Sequence, residues 1–470
     1  MSKSGGTEGV RGRASEARRL ALKVLRSVDQ GAAFVNLALD ELLEGADLGQ
    51  PDRALATELV YGVTRWRGRL DYILDYLSRR PVAELPAWIR NILRLGLYQL
   101  LYLDRIPDHA AVSESVALAH EFGHRGTAGL VNAVLRRAAE SGGSVPRPRD
   151  DGDPAARLAV EWSHPEWLVR RWLGRYGSDR TVALLKIDNE PAPLTLRANL
   201  LRTTRKGLIG GLASDGALAE AGRLFPEAVI CRRTPPVRSL AAYESGLFSV
   251  QDESAMSAAR AVAPRPGWLV IDACAGVGGK ATHLAELMED RGRVIAVDIF
   301  EHKLRLLAGA ARRLGLASIE TRRLDARELA GSGLERAADA VLVDAPCSGL
   351  GVLRRRPDLR WRITRADIDA LAGLQRELLA AAAACVRPGG ILVYATCTLE
   401  PEENEGVVEG FLASNLEFDA SSVAVALGLT PGAAGLIPTG VPSQGGSVVF
   451  SPQSGGSDGF FVARLVRRDG

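Results

Sequence analysis

The sequence predicts a multidomain chain in three parts: an all-α bundle, a small α+β region and an α/β domain. Three observations predict it. Residues 14–140 carry helix-period apolar positions and few strand patterns. Residues 156–245 mix both characters. From residue 246 onward, apolar strand-like runs alternate with helix-length segments. At 470 residues, and roughly 150 residues per domain, three parts is also what length alone suggests.

The bundle rests on periodicity. Ala17, Leu20, Ala21, Val24, Leu25 and Val28 recur at the spacing of one helix face. Similar patterns fill 52–78, 87–104, 109–122 and 125–140, with breaks at Pro51, Pro81, Pro86 and Pro107. Residues 1–13 read as a disordered tail. Residues 141–155, rich in Gly, Pro and charge, read as a linker. Residues 156–186 look helical, and PLTLRAN (193–199) alternates like a strand.

In the last part, strands are predicted at 268–274, 293–299, 319–324, 339–345, 389–397 and 459–467. Helices are predicted at 280–289, 301–314, 366–386 and 403–414. Such alternation argues a mostly parallel, Rossmann-like sheet with helices on both faces. Residues 425–457, rich in Gly, Pro and Ser, read as loop.

Composition narrows the function classes. Basic and acidic residues number 59 and 56, a net charge of +3, too balanced for a protein that coats polyanions. Any nucleic-acid contact must come from local charge. The five cysteines include no CxxC pair, which argues against a disulfide scaffold and a structural zinc site, and for a reducing cytoplasm. No metal is expected. No apolar run is long enough for a membrane span. The N-terminus lacks the apolar core of a secretory signal.

The first strand of the α/β part runs into Cys274-Ala275-Gly276-Val277-Gly278-Gly279-Lys280 and then a helix. The glycines allow a sharp turn and close approach of a ligand, and the helix start offers free N–H groups. Asp298 and Asp325 end the next two strands, where an acid suits ribose hydroxyls or the adenine side of a nucleoside. A P-loop fails here, because Cys274 and Ala281 stand where Gly and Ser or Thr are needed. A dinucleotide loop fits weakly. S-adenosylmethionine, with ribose and adenine but no pyrophosphate, fits glycines plus strand-end acids. The competing plain reading is a tight strand–helix turn.

Two more strands end in cysteine motifs, Asp344-Ala345-Pro346-Cys347-Ser348-Gly349 and Thr396-Cys397-Thr398. Ligands of open α/β sheets sit beyond the carboxyl ends of the strands. A thiolate, a carboxylate and a methyl donor together suit methylation of pyrimidine carbon 5. Thiolate addition at carbon 6 makes carbon 5 nucleophilic. Asp344 could hydrogen-bond cytosine N3. The residues alone do not choose which cysteine attacks. Cys231 and Cys385 read as small buried hydrophobes.

These motifs resemble the RNA (cytosine-5) methyltransferases of the Sun family. The matching stretches are DACAGVGGKATH (272–283), VDIF (297–300), LDAR (324–327), DAPCSGLGVLRRRPDLRW (344–361) and YATCTLEPEENE (394–405). PLTLRAN (193–199), FSVQDESA (248–255) and DGFFVARL (458–465) look similar too, and the helical part resembles the RNA-binding NusB fold. The resemblance implies a methyltransferase with 16S ribosomal RNA as partner and S-adenosyl-L-methionine as cofactor; a monomer is expected. By position it implies Cys397 as nucleophile and Cys347 as release residue. It also implies a cofactor site of Cys274–Lys280, Asp298, Asp325 and Asp344, with Asp344 also facing the cytosine. The sequence departs from the family at Val277, Ala281 and Ala395, where Pro, Thr and Ser are usual.

Residues 354–365 hold six Arg and one Asp around Trp361. Arg354, Arg355, Arg356, Arg360 and Trp361 are therefore candidates for RNA backbone and base contact. Arg65, Arg67 and Arg69 around Trp66 form a weaker one. Other classes stay open: methylation of transfer RNA, an inactive RNA-binding or assembly protein, or methylation of a protein amide or exocyclic nitrogen.

Overall fold

In the computed structural model, the described residues are 14–142, 146, 148, 152–429, 436–438, 446–452 and 456–469. The expected tail 1–13 lies outside them, as do parts of the expected linker 141–155 and of the expected loop 425–457. The chain divides into two compact units. One holds the chain up to Glu190 together with Arg356–Arg362, and the other holds Pro191–Arg355 and Ile363–Gly470.

The first unit is helical. Its helices are Glu16–Asp29, Val35–Glu44, Gln50–Leu77, Ala87–Tyr102, Asp108–Phe122, Arg125–Glu140, Pro154–Glu161 and Glu166–Ile187, with a last turn at Leu359–Arg362. The predicted apolar face of the first helix is the buried one: Ala17, Leu20, Ala21, Val24 and Leu25 are buried, and Val28 packs at the margin. Pro51 sits inside the first turn of its helix, where a missing N–H costs nothing. Helices approach closely at Gly62, where a Cβ would stand 2.1 Å from the Tyr98 ring.

The second unit carries two sheets. The smaller, of order β2-β3-β1-β4, is antiparallel: β1 is Leu194–Ala198, β2 Leu218–Ala221, β3 Ala228–Arg233 and β4 Phe248–Val250. The larger is built from β5 (Leu269–Asp272), β6 (Arg293–Asp298), β7 (Ile319–Arg323), β8 (Ala338–Asp344), β9 (Val386–Thr396), β10 (Phe418–Ala420), β11 (Leu436–Pro438), β12 (Ser447–Phe450) and β13 (Phe460–Arg467). Its order is β11-β12-β13-β9-β8-β5-β6-β7, with β10 on β13. Strands β5 to β9 are parallel, and β10 to β13 add antiparallel.

All six predicted strands are present. β5 stops at Asp272 because the chain turns there into the glycine loop. The segment 425–457 is not all loop: β11 and β12 lie in it and extend the sheet. An unexpected helix, Glu253–Val262, starts on an Asp252 cap that accepts from the Ser254 N–H at 2.9 Å. Its Ala and Ser residues are buried beside Met256 and Val262. Its apolar positions do recur at helix spacing, but most of them are Ala, and no helix is predicted there.

From β5 the chain steps outward through β6 and β7, then returns to β8 on the opposite side of β5. In open α/β sheets, ligands bind beyond the carboxyl ends of the strands at such a reversal.

Candidate active site

Three loops leave these strand ends. The first follows β5. Ala275 N–H donates to the Val297 carbonyl at 2.8 Å, and Gly276 N–H donates to Asp298 Oδ2 at 3.0 Å. Gly276 and Gly278 take left-handed backbone angles, φ 55° and 92°. A Cβ on Gly278 would stand 2.4 Å from Leu307, so only glycine fits. A Cβ on Gly276 or Gly279 would meet open space. The helix Gly279–Leu287 begins here, with the free N–H groups of a helix start at the loop.

Arg197 of β1 holds this start from behind. It is fully buried and donates to the Gly279 carbonyl at 2.6 Å, to Thr282 Oγ1 at 3.0 Å and to Glu286 Oε1 at 2.9 Å. Burial pushes the Glu286 carboxyl up, against the pull of this guanidinium. Next to it, His283 pairs with Glu227 at 3.1 Å. Burial and the Arg197 charge lower His283 to about 4, so it is neutral and structural.

The loop is surrounded by carboxylates. Burial, then Asp272, Asp344, Asp298 and Asp325, push the Cys274 thiol up. Asp272 is fully buried, and neither of its oxygens has a close hydrogen-bond partner. Burial and the neighbouring Asp344 charge push it up to about 7, against the Lys280 charge. Asp298 is engaged by Gly276 and by the Phe300 N–H at 2.8 Å. Asp325 caps the turn Ala326–Gly331 and pairs with Arg327 at 2.7 Å, which holds its carboxyl below the usual range. Lys280 donates to Asp344 Oδ2 at 2.5 Å. Burial opposes the lysine charge, but Asp344 more than restores it, and its pKa is raised.

The second and third loops carry the cysteines. Asp344 is paired in register with Ala395, so the ends of β8 and β9 lie side by side. Cys347 and Cys397 place their sulfurs 3.4 Å apart, and the Cys397 N–H donates to Cys347 Sγ at 3.3 Å. The hydrogen bond to Cys397, then burial, raise Cys347 well above the ordinary thiol range. Cys231 and Cys385 are buried elsewhere, as expected.

The chain matches known families along most of its length. Residues 15–140 match the NusB family, 164–238 the ferredoxin-like domain of RsmF/B-like methyltransferases, and 259–466 the family described as 16S rRNA methyltransferase RsmB/F. A probable ribosomal RNA small subunit methyltransferase B of Bacillus subtilis is 37% identical, covering 97% of this chain and 99% of the relative. A ribosomal RNA small subunit methyltransferase B of Pseudomonas syringae is 36% identical, covering 96% of each. The chain belongs to the ribosomal RNA small subunit methyltransferase B family. Among solved structures, PH0851 superposes with a TM-score of 0.79 at 26% identity, covering 96% of this chain and 99% of that one. NSun6 from Pyrococcus horikoshii, solved with SFG, gives 0.57 at 25% identity over 64% of this chain and 98% of its own.

Family membership makes this chain a methyltransferase with a methyl donor of the S-adenosylmethionine type. The residues fit that group. The donor carries a sulfonium and an ammonium, and Asp272, Asp298, Asp325 and Asp344 gather carboxylates at the loop, Asp272 with both oxygens unsatisfied. The open space at Gly276 and Gly279 leaves room for it.

The arginine-rich segment is not the surface patch expected from its composition. Arg360 is fully buried in the helical unit, donating to the Ser163 and Asp188 carbonyls at 3.1 and 3.0 Å and to Asn189 Oδ1 at 2.8 Å. Trp361 donates its indole N–H to the Thr64 carbonyl at 3.0 Å. Arg354 is buried against the Gly456 and Pro191 carbonyls, and Arg355 is clamped by Asp252 and Asp458. Buried carbonyls and carboxylates claim these guanidiniums, and of the five residues only Arg356 is exposed. The second patch behaves alike: Arg65 is buried, and Arg67 reaches Asp29 at 3.5 Å and lies over the Trp361 ring.

Composition did not point to Asp272, Arg197 or Glu403. Asp272 stood in the motif DACAG, and Glu403 in the acid run that follows Cys397. Among the described residues, no cluster of metal-ligating side chains forms and no helix is long and apolar enough to cross a membrane.

Proposed function

We propose that the chain methylates carbon 5 of a cytosine in 16S ribosomal RNA through a covalent cysteine–cytosine adduct. The observation that carries this reading is the pair of sulfurs 3.4 Å apart beside the Lys280–Asp344 ion pair. A methyltransferase acting on nitrogen or oxygen has no use for two adjacent thiols at strand ends. The relatives' names supply the RNA.

Cys397 is the nucleophile in this reading. The resemblance of its Thr-Cys-Thr motif assigns that role to Cys397, and the contact with Cys397 together with burial holds the Cys347 thiol up. Cys347 keeps its proton and donates toward Cys397, which favours the Cys397 thiolate. Cys397 Sγ adds to carbon 6 of the cytosine, and the displaced π electrons reach carbon 5. Asp344, sharing the Lys280 proton, meets N3 as negative charge builds on the ring. Cys274–Lys280 with Asp298 and Asp325 would hold S-adenosylmethionine, which would supply the methyl group to carbon 5 and leave as S-adenosylhomocysteine. Cys347, once its own proton has passed to solvent, takes the carbon-5 proton. The C–H electron pair closes the carbon 5–carbon 6 double bond, and the carbon–sulfur pair returns to Cys397. The cytosine must be unpaired or flipped to reach the sulfurs. Arg356 remains a candidate RNA contact.

The test compares Cys347→Ala and Cys397→Ala, each incubated with S-adenosylmethionine and unmodified 16S RNA, then separated on a denaturing gel. A covalent band with Cys347→Ala and none with Cys397→Ala is expected. The opposite pattern exchanges the two roles. No band from either variant, with no label transferred by the wild type, defeats the ribosomal substrate and directs the search to transfer RNA.

A further inference from the structure

Neither cysteine loop is held by its own strand alone. Each cysteine is followed by a hydroxyl residue, and these two, Ser348 Oγ and Thr398 Oγ1, lie 2.8 Å apart. Both are buried, and both converge on Glu403, which is fully buried beside them. Glu403 accepts from the Ser348 N–H at 2.8 Å, from the Ser348 hydroxyl at 2.5 Å and from Gln375 Nε2 at 3.0 Å. Gln375 also donates to the Pro346 carbonyl at 2.8 Å, one residue before Cys347. The neighbour Asn404 grips the other loop, donating to the Thr398 carbonyl at 3.1 Å and accepting from the Thr396 hydroxyl at 2.5 Å. Every group around the Glu403 carboxylate donates to it, which an acceptor-only carboxylate requires.

We propose that Glu403 is a positioning residue. Its carboxylate locks the Cys347 loop against the Cys397 loop, so that the sulfurs stand in contact. The effect falls unequally on the two cysteines. Cys397 follows the long strand β9 and keeps its Asn404 bonds without Glu403. Cys347 sits in a loop whose Ser348 N–H and hydroxyl both end on Glu403; without it the loop keeps Gln375 on the Pro346 carbonyl and Gly351 N–H on the Cys397 carbonyl, but the turn at Cys347 and Ser348 itself is loosened. The inference rests on the covalent reading above and assigns Glu403 to the release step. Adduct formation at Cys397 survives its removal, and proton removal at carbon 5 suffers.

The test uses the full chain with Glu403→Ala and Glu403→Gln. The first measurement needs no RNA: the rate at which diamide joins Cys347 and Cys397 as a disulfide, read by peptide mass. The diamide takes up the two electrons and two protons. Glu403→Ala should slow this joining by about tenfold, since ångström displacements cost factors of that order or more. Glu403→Gln, which keeps one acceptor oxygen, should fall between. The second measurement is the covalent band with S-adenosylmethionine and RNA. Glu403→Ala, with both cysteines present, should accumulate the adduct as Cys347→Ala does, and Glu403→Gln should restore part of the turnover. Joining rates for both variants within about twofold of wild type overturn the positioning role. A slowed rate with turnover lost and no trapped band confines Glu403 to a general structural part and overturns its assignment to release. If the wild type itself forms no adduct, the covalent reading fails, and the diamide rate still decides whether Glu403 sets the sulfur spacing. If Glu403→Ala does not unfold cooperatively, Glu403→Gln carries both measurements.

Discussion

The loop after β5 and the loops after β8 and β9 leave one edge of one sheet, yet they treat buried polar atoms in opposite ways. Around the cysteines, the carboxylate of Glu403 has donors from the Cys347 loop and from Gln375 of the helix Arg365–Cys385. Around the glycines, Asp272 is equally buried and both its oxygens lack a close partner. A buried polar atom without a partner costs folding free energy. The difference teaches which side waits for a ligand. The cysteine side is finished by the protein. The glycine side carries a buried acid that a cationic methyl donor would meet.

The largest expected effect separates the two sides outright. Cys397→Ala should lower methyl transfer by about three orders of magnitude or more, as loss of a covalent nucleophile does. Cofactor affinity by titration calorimetry should stay within about twofold. A matched fall in affinity would mean that the two sides are one site. Next, Asp298→Ala should weaken S-adenosylmethionine binding by roughly ten- to a hundredfold, the worth of charged hydrogen bonds. The diamide joining of Cys347 and Cys397 should not change with it.

Arg197→Ala strikes behind the glycine loop. It leaves the buried Glu286 carboxylate without its partner guanidinium. Urea unfolding should show a loss of about 3–5 kcal/mol.

Acid and base sharpen the comparison further. Asp272 has its pKa near 7 in the folded chain against 3.8 ordinarily, as has Asp458. A folded pKa above the unfolded one means that the folded chain binds more protons between about pH 4 and 7. The stability is therefore full below that window and lost as pH rises through it. His283, down at about 4, works the other way, losing stability as pH falls from 6.5. The variant isolates one group from the other. Asp272→Asn should be more stable than wild type at pH 8 by on the order of 2–4 kcal/mol, the difference closing below about pH 4. Equal urea midpoints at pH 8 would show that Asp272 bears no such strain. The smallest effect belongs to the surface: Arg232→Ala breaks an exposed pair with Glu220 and should cost at most about 1 kcal/mol.

Much of the fold was legible in the sequence, because strands and helices of the α/β part differ in period and are separated by glycine and proline. The strand-end cysteines were legible for the same reason: once a strand is placed, so is its end. Three things were not. The arginine run from 354 to 360 looked like a surface because composition cannot say which guanidiniums meet buried carbonyls. Arg360 and Arg354 turned inward and only Arg356 stayed out. The helix Glu253–Val262 was passed over although its apolar positions recur at helix spacing, because most of them are Ala. Glu403 was quoted within a motif but not understood, because its partners Ser348 and Gln375 come from distant parts of the chain.

The return of Arg356–Arg362 to the helical unit has a consequence for the order of biosynthesis. Arg360 satisfies the carbonyls of Ser163 and Asp188, which are translated long before it. A fragment ending at Glu190 contains every long helix of that unit but lacks the guanidinium at its centre. On the ribosome, at roughly 5–20 residues per second, the unit waits about ten to thirty seconds for its last turn to emerge. Through that interval the carbonyls of Ser163 and Asp188 lack the Arg360 donor. The nascent helices are then a natural client for chaperones and a weak point for proteases, and the finished unit is sealed only once β8 has already been made.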